Sequence, residues 1–279
     1  MTNHRALVAL VTGASGGIGF ELAKGLRARG YELLLVSSDG EKLAKASAAL
    51  KAEPGAGSVH FAALDLAEPG AAQSVWAFTT GLGLEVDVLI NNAGFGIYGE
   101  HAELDPERLV RMLQLNVTTL AELCLSYGKR MKERGQGRIL NVASTAAYQP
   151  TPFFAAYGAS KAFVLAFSEA LAKEMEDYAV SVTCLSPGPT ATAFFGDLER
   201  RGLSNVHFQP AVRDSAAAVA EVGLDALFSG SLSRIVGTKN YWRAWSARLA
   251  PRSVVASIAK SMMRASPSGA PAELGGQRG

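Results

Sequence analysis

Six short apolar runs recur along the chain: ALVALV from Ala6, YELLLVS from Tyr31, SVHFAAL from Ser58, VDVLINN from Val86, RILNVAS from Arg138 and VSVTCLS from Val180. Their apolar positions are nearly continuous rather than alternating, which predicts strands covered on both faces. Between them lie longer segments with apolar residues at helical spacing, such as FELAKGLRARG (20–30) and one long stretch over 105–135. Strand and helix thus alternate as βαβ units. The predicted fold is α/β, a doubly wound parallel sheet in a three-layer α/β/α sandwich. SRIVG from Ser233 adds a strand, giving about seven. No linker breaks the alternation before Pro187, so residues 1–264 read as a single domain, and the Gly- and Pro-rich end, 265–279, reads as a flexible tail.

Glycines 13, 17 and 19 fall between the first strand and the first helix, in TGASGGIG (12–19). Glycine lets the backbone approach a ligand closely, and the helix behind it offers free N–H groups and a positive dipole end to a pyrophosphate. The spacing is GxxxGxG rather than GxGxxG, and a purely structural turn is the alternative. The end of the second strand, LVSSDGEKL (35–43), bears on which dinucleotide is held. If Ser37 faces the ribose, the missing carboxylate favours a 2′-phosphate and hence NADP(H) over NAD(H); if Asp39 turns inward, the preference reverses. Asp39 also reads as a turn residue before Gly40.

Composition narrows the partners. A chain of 279 residues, 48% of them hydrophobic, can bury a large core, and a net charge of +2 makes no case for nucleic acid. Cys124 and Cys184 lack CxxC spacing and sit among apolar neighbours, so they read as buried reduced thiols, with no metal site expected. The apolar run at Ala6 to Val11 is too short for a signal-peptide core, and no segment reaches the roughly 18 apolar residues of a membrane span. A cytoplasmic location is the expectation.

Candidate chemistry begins with FFAAYGASKAFVL (153–165), where Tyr157 and Lys161 are four positions apart and share a helical face. A phenol titrates near 10; an ammonium about 4 Å away at an effective dielectric of about 20 contributes on the order of 4 kcal/mol, enough to bring it towards 7.

TGASGGIG (12–19), NNAG (91–94), Asn116, Ser144, YGASK (157–161) and PG (187–188) resemble, in order and spacing, the short-chain dehydrogenase/reductase family, over about Ala6 to Thr192. The resemblance implies a Rossmann-type fold, an NAD(P)(H) cofactor, and interconversion of a ketone and a secondary alcohol by a homodimer or homotetramer. By resemblance, Tyr157 is the general acid/base and Lys161 lowers its pKa while binding the nicotinamide ribose. Ser144 holds the reacting oxygen, and Asn116 supports a water chain from Lys161. The cofactor contacts it implies are Thr12, Gly13, Ser15, Gly17, Ile18 and Gly19 at the phosphates, with Ser37 and Ser38 at the adenosine ribose. Asp65 and Leu66 would meet the adenine, Asn92, Ala93 and Gly94 the cofactor ribose, and Pro187, Gly188 and Thr190 the nicotinamide carboxamide. The rival from another class is a non-catalytic dinucleotide sensor or membrane-surface scaffold on the same fold.

On the substrate side, residues 189–212 read as a lid. Phe95, Tyr98, Tyr148, Phe153, Phe154, Phe194 and Phe195 gather around the expected cleft and suit a bulky apolar substrate such as a steroid, acyl or aromatic ketone, unless they fill core. From Ser231 to Arg264 there are seven basic residues and no acidic one, interleaved with Tyr241, Trp242, Trp245 and Leu249. This basic helical extension fits either packing on the domain or peripheral contact with a membrane or acidic partner.

Overall fold

In a computed structural model, residues 5–55, 57–192, 203–204, 214–247, 249–264 and 266–267 are described. The first strand, β1 (Val8–Thr12), leads into α1 (Gly17–Ala28), β2 (Glu32–Ser37) into α2 (Gly40–Ala52), and β3 (Val59–Ala63) into α3 (Ala71–Gly81). After β4 (Val88–Asn91) come α4 (Pro106–Leu113), a π-helical turn (Gln114–Thr119) and α5 (Leu120–Arg134). Then follow β5 (Gly137–Val142), a 3-10 turn (Thr145–Tyr148), α6 (Ala155–Met175) and β6 (Val180–Ser186). The C-terminal part contributes β7 (Leu203–Ser204), α7 (Ala216–Ser229), β8 (Ser233–Ile235), α8 (Thr238–Ser246), α9 (Arg252–Met263) and β9 (Ser266–Pro267).

Seven strands form one parallel sheet in the order β3-β2-β1-β4-β5-β6-β8. The continuous apolar runs have a direct cause. In β2, Leu34 and Val36 pack with Val75, Leu123 and Val164 on one side of the sheet, while Leu33 and Leu35 pack with Leu22, Leu43 and Leu224 on the other. Successive side chains point to opposite faces, and both faces are roofed by helices. The chain order reverses between β1 and β4, which opens a crevice at the C-terminal ends of those strands, where ligands of such sheets bind.

The helical stretch expected over 105–135 is broken. Asp105 caps α4 by accepting from Glu107 N at 3.0 Å, Gly135 ends α5 with φ 66°, and between them the π turn inserts Asn116, which is fully buried. Such bulges concentrate at functional sites. The start of the expected tail is also ordered, since Ser266 and Pro267 pair antiparallel with Ser204 and Leu203. Apart from those two pairs and Pro189–Thr192, most of the expected lid, with Phe194 and Phe195, and the remainder of the tail lie outside the described residues. Both thiols are buried and unbridged, and burial pushes each up to about 12. Among the described residues, no helix is long and apolar enough to cross a membrane.

Candidate active site

Thr12, at the end of β1, joins two strand ends. Its hydroxyl donates to Ile90 O at 3.2 Å and accepts from Asn92 N and Ala93 N, both at 3.0 Å. Asn92 returns the link, its amide donating to Thr12 O at 2.9 Å and Gly13 O at 3.3 Å. The side chains of Thr12 and Asn92 therefore hold the NNAG loop against the first turn, a bracing role the sequence did not reveal. Gly13 has φ 66°, and a Cβ there would lie 2.7 Å from Asn92 Nδ2. The helix α1 starts after Gly16 with no side-chain cap, so its first N–H groups are left for another acceptor.

A cleft of about 610 Å³ is lined by Gly13, Gly17 and Ile18 from that turn, and also by Ser144, Tyr157 and Lys161. Ser15, Asn92, Ala93, Gly94, Pro187, Gly188 and Thr190 line it too. A second cavity, of about 520 Å³, opens at the N-terminal ends of the strands, beside Val88, Gly137 and Val180, and contains none of the motif residues.

The remaining candidates for cofactor contact are set back from the cleft lining. Gly19 packs α1 against the turn, Ser37 exchanges a 2.9 Å hydrogen bond with Ser15, and Ser38 is exposed. Asp39 caps α2, accepting from Lys42 N at 3.0 Å and pairing with Lys42 Nζ at 2.7 Å, while Lys42 reaches the cleft. Its carboxyl is held below the usual range by the hydrogen bond from the Lys42 ammonium. Asp65 accepts from Ala67 N at 2.9 Å and pairs with Arg111 at 2.6 Å, and Leu66 is buried; neither side chain lines the cleft.

The chemical centre lies on β5, its following turn and α6. Ser144 caps the 3-10 turn by accepting from Ala146 N at 3.1 Å, and its hydroxyl also hydrogen-bonds the Tyr157 phenol. Tyr157 is half-buried, with Phe154 at 5.9 Å edge-on. Lys161, only 4% exposed, donates from Nζ to Val142 O at 2.8 Å and lies 6.0 Å from the centre of the Tyr157 ring. Asn116 donates to Phe95 O at 3.0 Å and Ser160 Oγ at 3.1 Å, and accepts from Phe95 N at 3.2 Å. It clamps the loop after β4 to α6, one residue from Lys161. Gly94 makes room for this, since a Cβ there would lie 3.0 Å from Asn116 Oδ1 and 3.3 Å from Lys161 Nζ.

The expected activation of Tyr157 by Lys161 is not built into these groups alone. Burial pushes the phenol up to about 12, with the Ser144 hydrogen bond pulling in the opposite sense, and it pulls Lys161 down to about 8. Burial disfavours whichever form is charged, so it acts against both phenolate and ammonium. The ammonium donates to the Val142 carbonyl, and burial of the phenol holds it in its neutral form at pH 7.

Of the expected aromatic lining, Phe95 and Phe154 reach the cleft. Tyr98, Phe153 and Tyr148 do not line the cleft: Tyr98 meets Phe153 at a tilt, 5.8 Å between ring centres, and donates to Met263 O at 3.2 Å, and Tyr148 meets Ser186 Oγ at 3.4 Å. Residues not anticipated as lining include Gln149, Arg108, Arg243 and Met262. Only Arg243 carried a signal, as part of the basic run. Thr190, buried, donates to Gly188 O at 3.0 Å, and Gly188 passes against Asn240 of α8.

Comparison with known proteins places this geometry. A family model described as short chain dehydrogenase matches residues 7–201. "Probable oxidoreductase EphD" of Mycobacterium tuberculosis is 36% identical over 182 residues, covering 64% of this chain and 30% of that protein. "Very-long-chain 3-oxoacyl-CoA reductase" of Pyrenophora tritici-repentis is 35% identical over 192 residues, covering 68% of this chain and 56% of that protein. The chain thus spans about a third to just over half of these relatives. Among solved structures, a short-chain dehydrogenase from Sphingobium yanoikuyae in complex with NADPH superposes with a TM-score of 0.75 at 27% identity, covering 87% of this chain and 93% of that one.

Proposed function

Because the chain belongs to the short-chain dehydrogenase/reductase family of oxidoreductases, we propose that it interconverts a bulky, apolar ketone and its secondary alcohol with NADP(H), Tyr157 serving as acid and base. The observation that carries this reading is the meeting of Ser144, Tyr157 and Lys161 in one cleft with the uncapped start of α1. The residues present fit a dinucleotide: the Gly13–Ile18 turn would take its pyrophosphate on backbone N–H groups, and Gly94 leaves space beside Lys161 for a ribose. A bound nicotinamide would supply the hydride donor or acceptor and, when oxidised, a positive charge. Phe95, Phe154, Met262 and Met263 give the cleft an apolar wall, in keeping with the very-long-chain 3-oxoacyl-CoA reductase among its relatives.

Ser144 and Tyr157 would bracket the carbonyl oxygen of a substrate. In the direction of reduction the neutral phenol gives its proton to that oxygen as the carbonyl carbon gains a hydride, so the two additions complete the alcohol. Lys161, mostly protonated at pH 7 with its pKa near 8, is the next proton source for the phenolate. Asn116 positions it by fixing the loop and helix on either side.

The pH dependence follows in sign. Reduction uses the protonated phenol, which persists throughout the range below about 12, so kcat/KM for the ketone stays level or falls between pH 6 and 10. Oxidation uses the phenolate, whose fraction grows up to about tenfold per pH unit below its pKa, so kcat/KM for the alcohol climbs over the same range. Ketone reduction that rose with pH would count against Tyr157 as donor.

Cofactor choice rests on the adenosine end. Asp39 is occupied in capping α2 and pairing with Lys42, and the strand end offers hydroxyls and the Lys42 ammonium in place of a free carboxylate. Titration calorimetry is expected to give tighter binding of NADPH than NADH, and Lys42→Ala to weaken NADPH by about tenfold with little change for NADH. Equal losses for both dinucleotides would remove Lys42 from 2′-phosphate recognition.

A further inference from the structure

The helices α8 and α9 have two different faces. Arg243 and Ala244 of α8, with Ala259, Met262 and Met263 of α9, turn towards the cleft. Away from it, α8 exposes Tyr241, Trp242 and Trp245, with Trp242 61% accessible, and the three rings form a chain of edge-on contacts at 5.7 and 5.8 Å. Leu249 follows in the connection, and Val254 and Ile258, one turn apart on α9, are also exposed. Lys239, Arg252 and Lys260 are exposed on the same two helices, and no acidic residue occurs anywhere from Ser231 to Arg264. The remainder of the chain has 20 basic residues against 25 acidic ones, so the positive charge is concentrated here.

We infer that α8 and α9 dock this protein onto an anionic lipid bilayer. Charge and chemistry select that occupant. A second copy meeting the same patch across a two-fold axis would set two all-basic surfaces against each other, a juxtaposition that opposes association. A nucleic acid would satisfy the cations but give no burial to Leu249, Val254 and Ile258. A bilayer surface meets both requirements: anionic headgroups attract the lysines and arginines, tryptophan and tyrosine settle at headgroup depth, and the aliphatic side chains enter the acyl boundary. The inner faces of the same helices wall the cleft, so the docked element would also form part of the site. The inference concerns binding and is measured without turnover.

The test is co-sedimentation of the full chain with vesicles of phosphatidylcholine containing about one-third phosphatidylserine, against phosphatidylcholine alone. Expected is binding to the anionic vesicles only, weakened steeply as salt rises from about 0.1 to 1 M, with a blue shift of tryptophan emission. Lys239→Glu/Arg252→Glu/Lys260→Glu together should lower vesicle affinity on the order of a hundredfold, and Trp242→Ser/Trp245→Ser about tenfold with loss of the emission shift. Both variants should keep the wild-type thermal midpoint and cofactor affinity. Salt dependence and the emission shift are read on the unaltered chain, so a misfolded variant does not blunt the test. The inference is overturned if the chain ignores anionic vesicles, or if the charge-reversed variant binds them as well as the wild type. Capture by poly(U) or polyglutamate with no vesicle binding also overturns it, as does a shift from dimer to monomer in the tryptophan variant.

Discussion

Tyr157→Phe is expected to lower turnover by a factor of about 10² to 10⁴ while the protein folds and binds its dinucleotide as before. The substitution keeps the ring, its edge-on contact with Phe154 at 5.9 Å and its place in α6. What disappears is one hydroxyl, and with it both the proton donor and the hydrogen bond with Ser144. The remaining hydroxyl of Ser144 still caps the 3-10 turn through Ala146 N, so the local backbone has no reason to move. Stability should change by no more than about 1 kcal/mol, the usual worth of one hydrogen bond. The measurement is single-turnover reduction of a ketone that the wild type accepts, with the thermal midpoint and dinucleotide affinity recorded beside it. Near-wild-type turnover would falsify the assignment of Tyr157. Dinucleotide binding by wild type and variant alike, with no turnover by either over a broad panel of ketones and alcohols, would favour the non-catalytic sensor instead.

The strands were legible because each carries its own evidence: both faces of the sheet are covered, so the apolar runs are continuous and their ends fall within a residue or two of the observed ones. Motifs located the parts of the cleft for a similar reason, since a turn that needs Gly13 or a helix that holds Tyr157 and Lys161 on one face is specified locally. What escaped was set by long-range contact. The π turn around Asn116 has ordinary helical composition on both sides, and its cause is a partner more than 20 residues away in sequence, the Phe95 backbone. Asp65, two residues past β3, was read only as a ligand contact, and its ion pair with Arg111, on a helix further along, went unforeseen. The Tyr157–Lys161 pair shows the limit most clearly. Spacing placed the two on one face, yet the sign of each pKa shift was decided by burial.

Gly19→Ala should disable dinucleotide binding through packing rather than by removing any contact to the ligand. A methyl group at this position would collide with the Gly13 carbonyl oxygen and would lie 2.5 Å from Asn92 Nδ2. Neither neighbour can yield easily: Gly13 is fixed by its left-handed φ of 66° and by the bond from Gly13 N to Val36 O at 2.8 Å, and Asn92 is tied to Thr12 O at 2.9 Å. Relief therefore requires α1 to lift away from the turn, which carries its N–H groups out of reach of a pyrophosphate. Overpacking of this kind costs about 1–3 kcal/mol of stability. A loss of about a hundredfold in dinucleotide affinity corresponds to about 2.8 kcal/mol. Gly16 provides the control, because a Cβ there meets nothing within 4 Å and its φ of 172° suits any residue. Gly16→Ala should unfold at the wild-type temperature, and any loss of affinity it shows reports direct crowding of the ligand. Calorimetric titration with NADPH, together with melting curves taken with and without it, separates the two effects. If Gly19→Ala bound NADPH as tightly as the wild type, the turn between β1 and α1 would not be where the pyrophosphate sits.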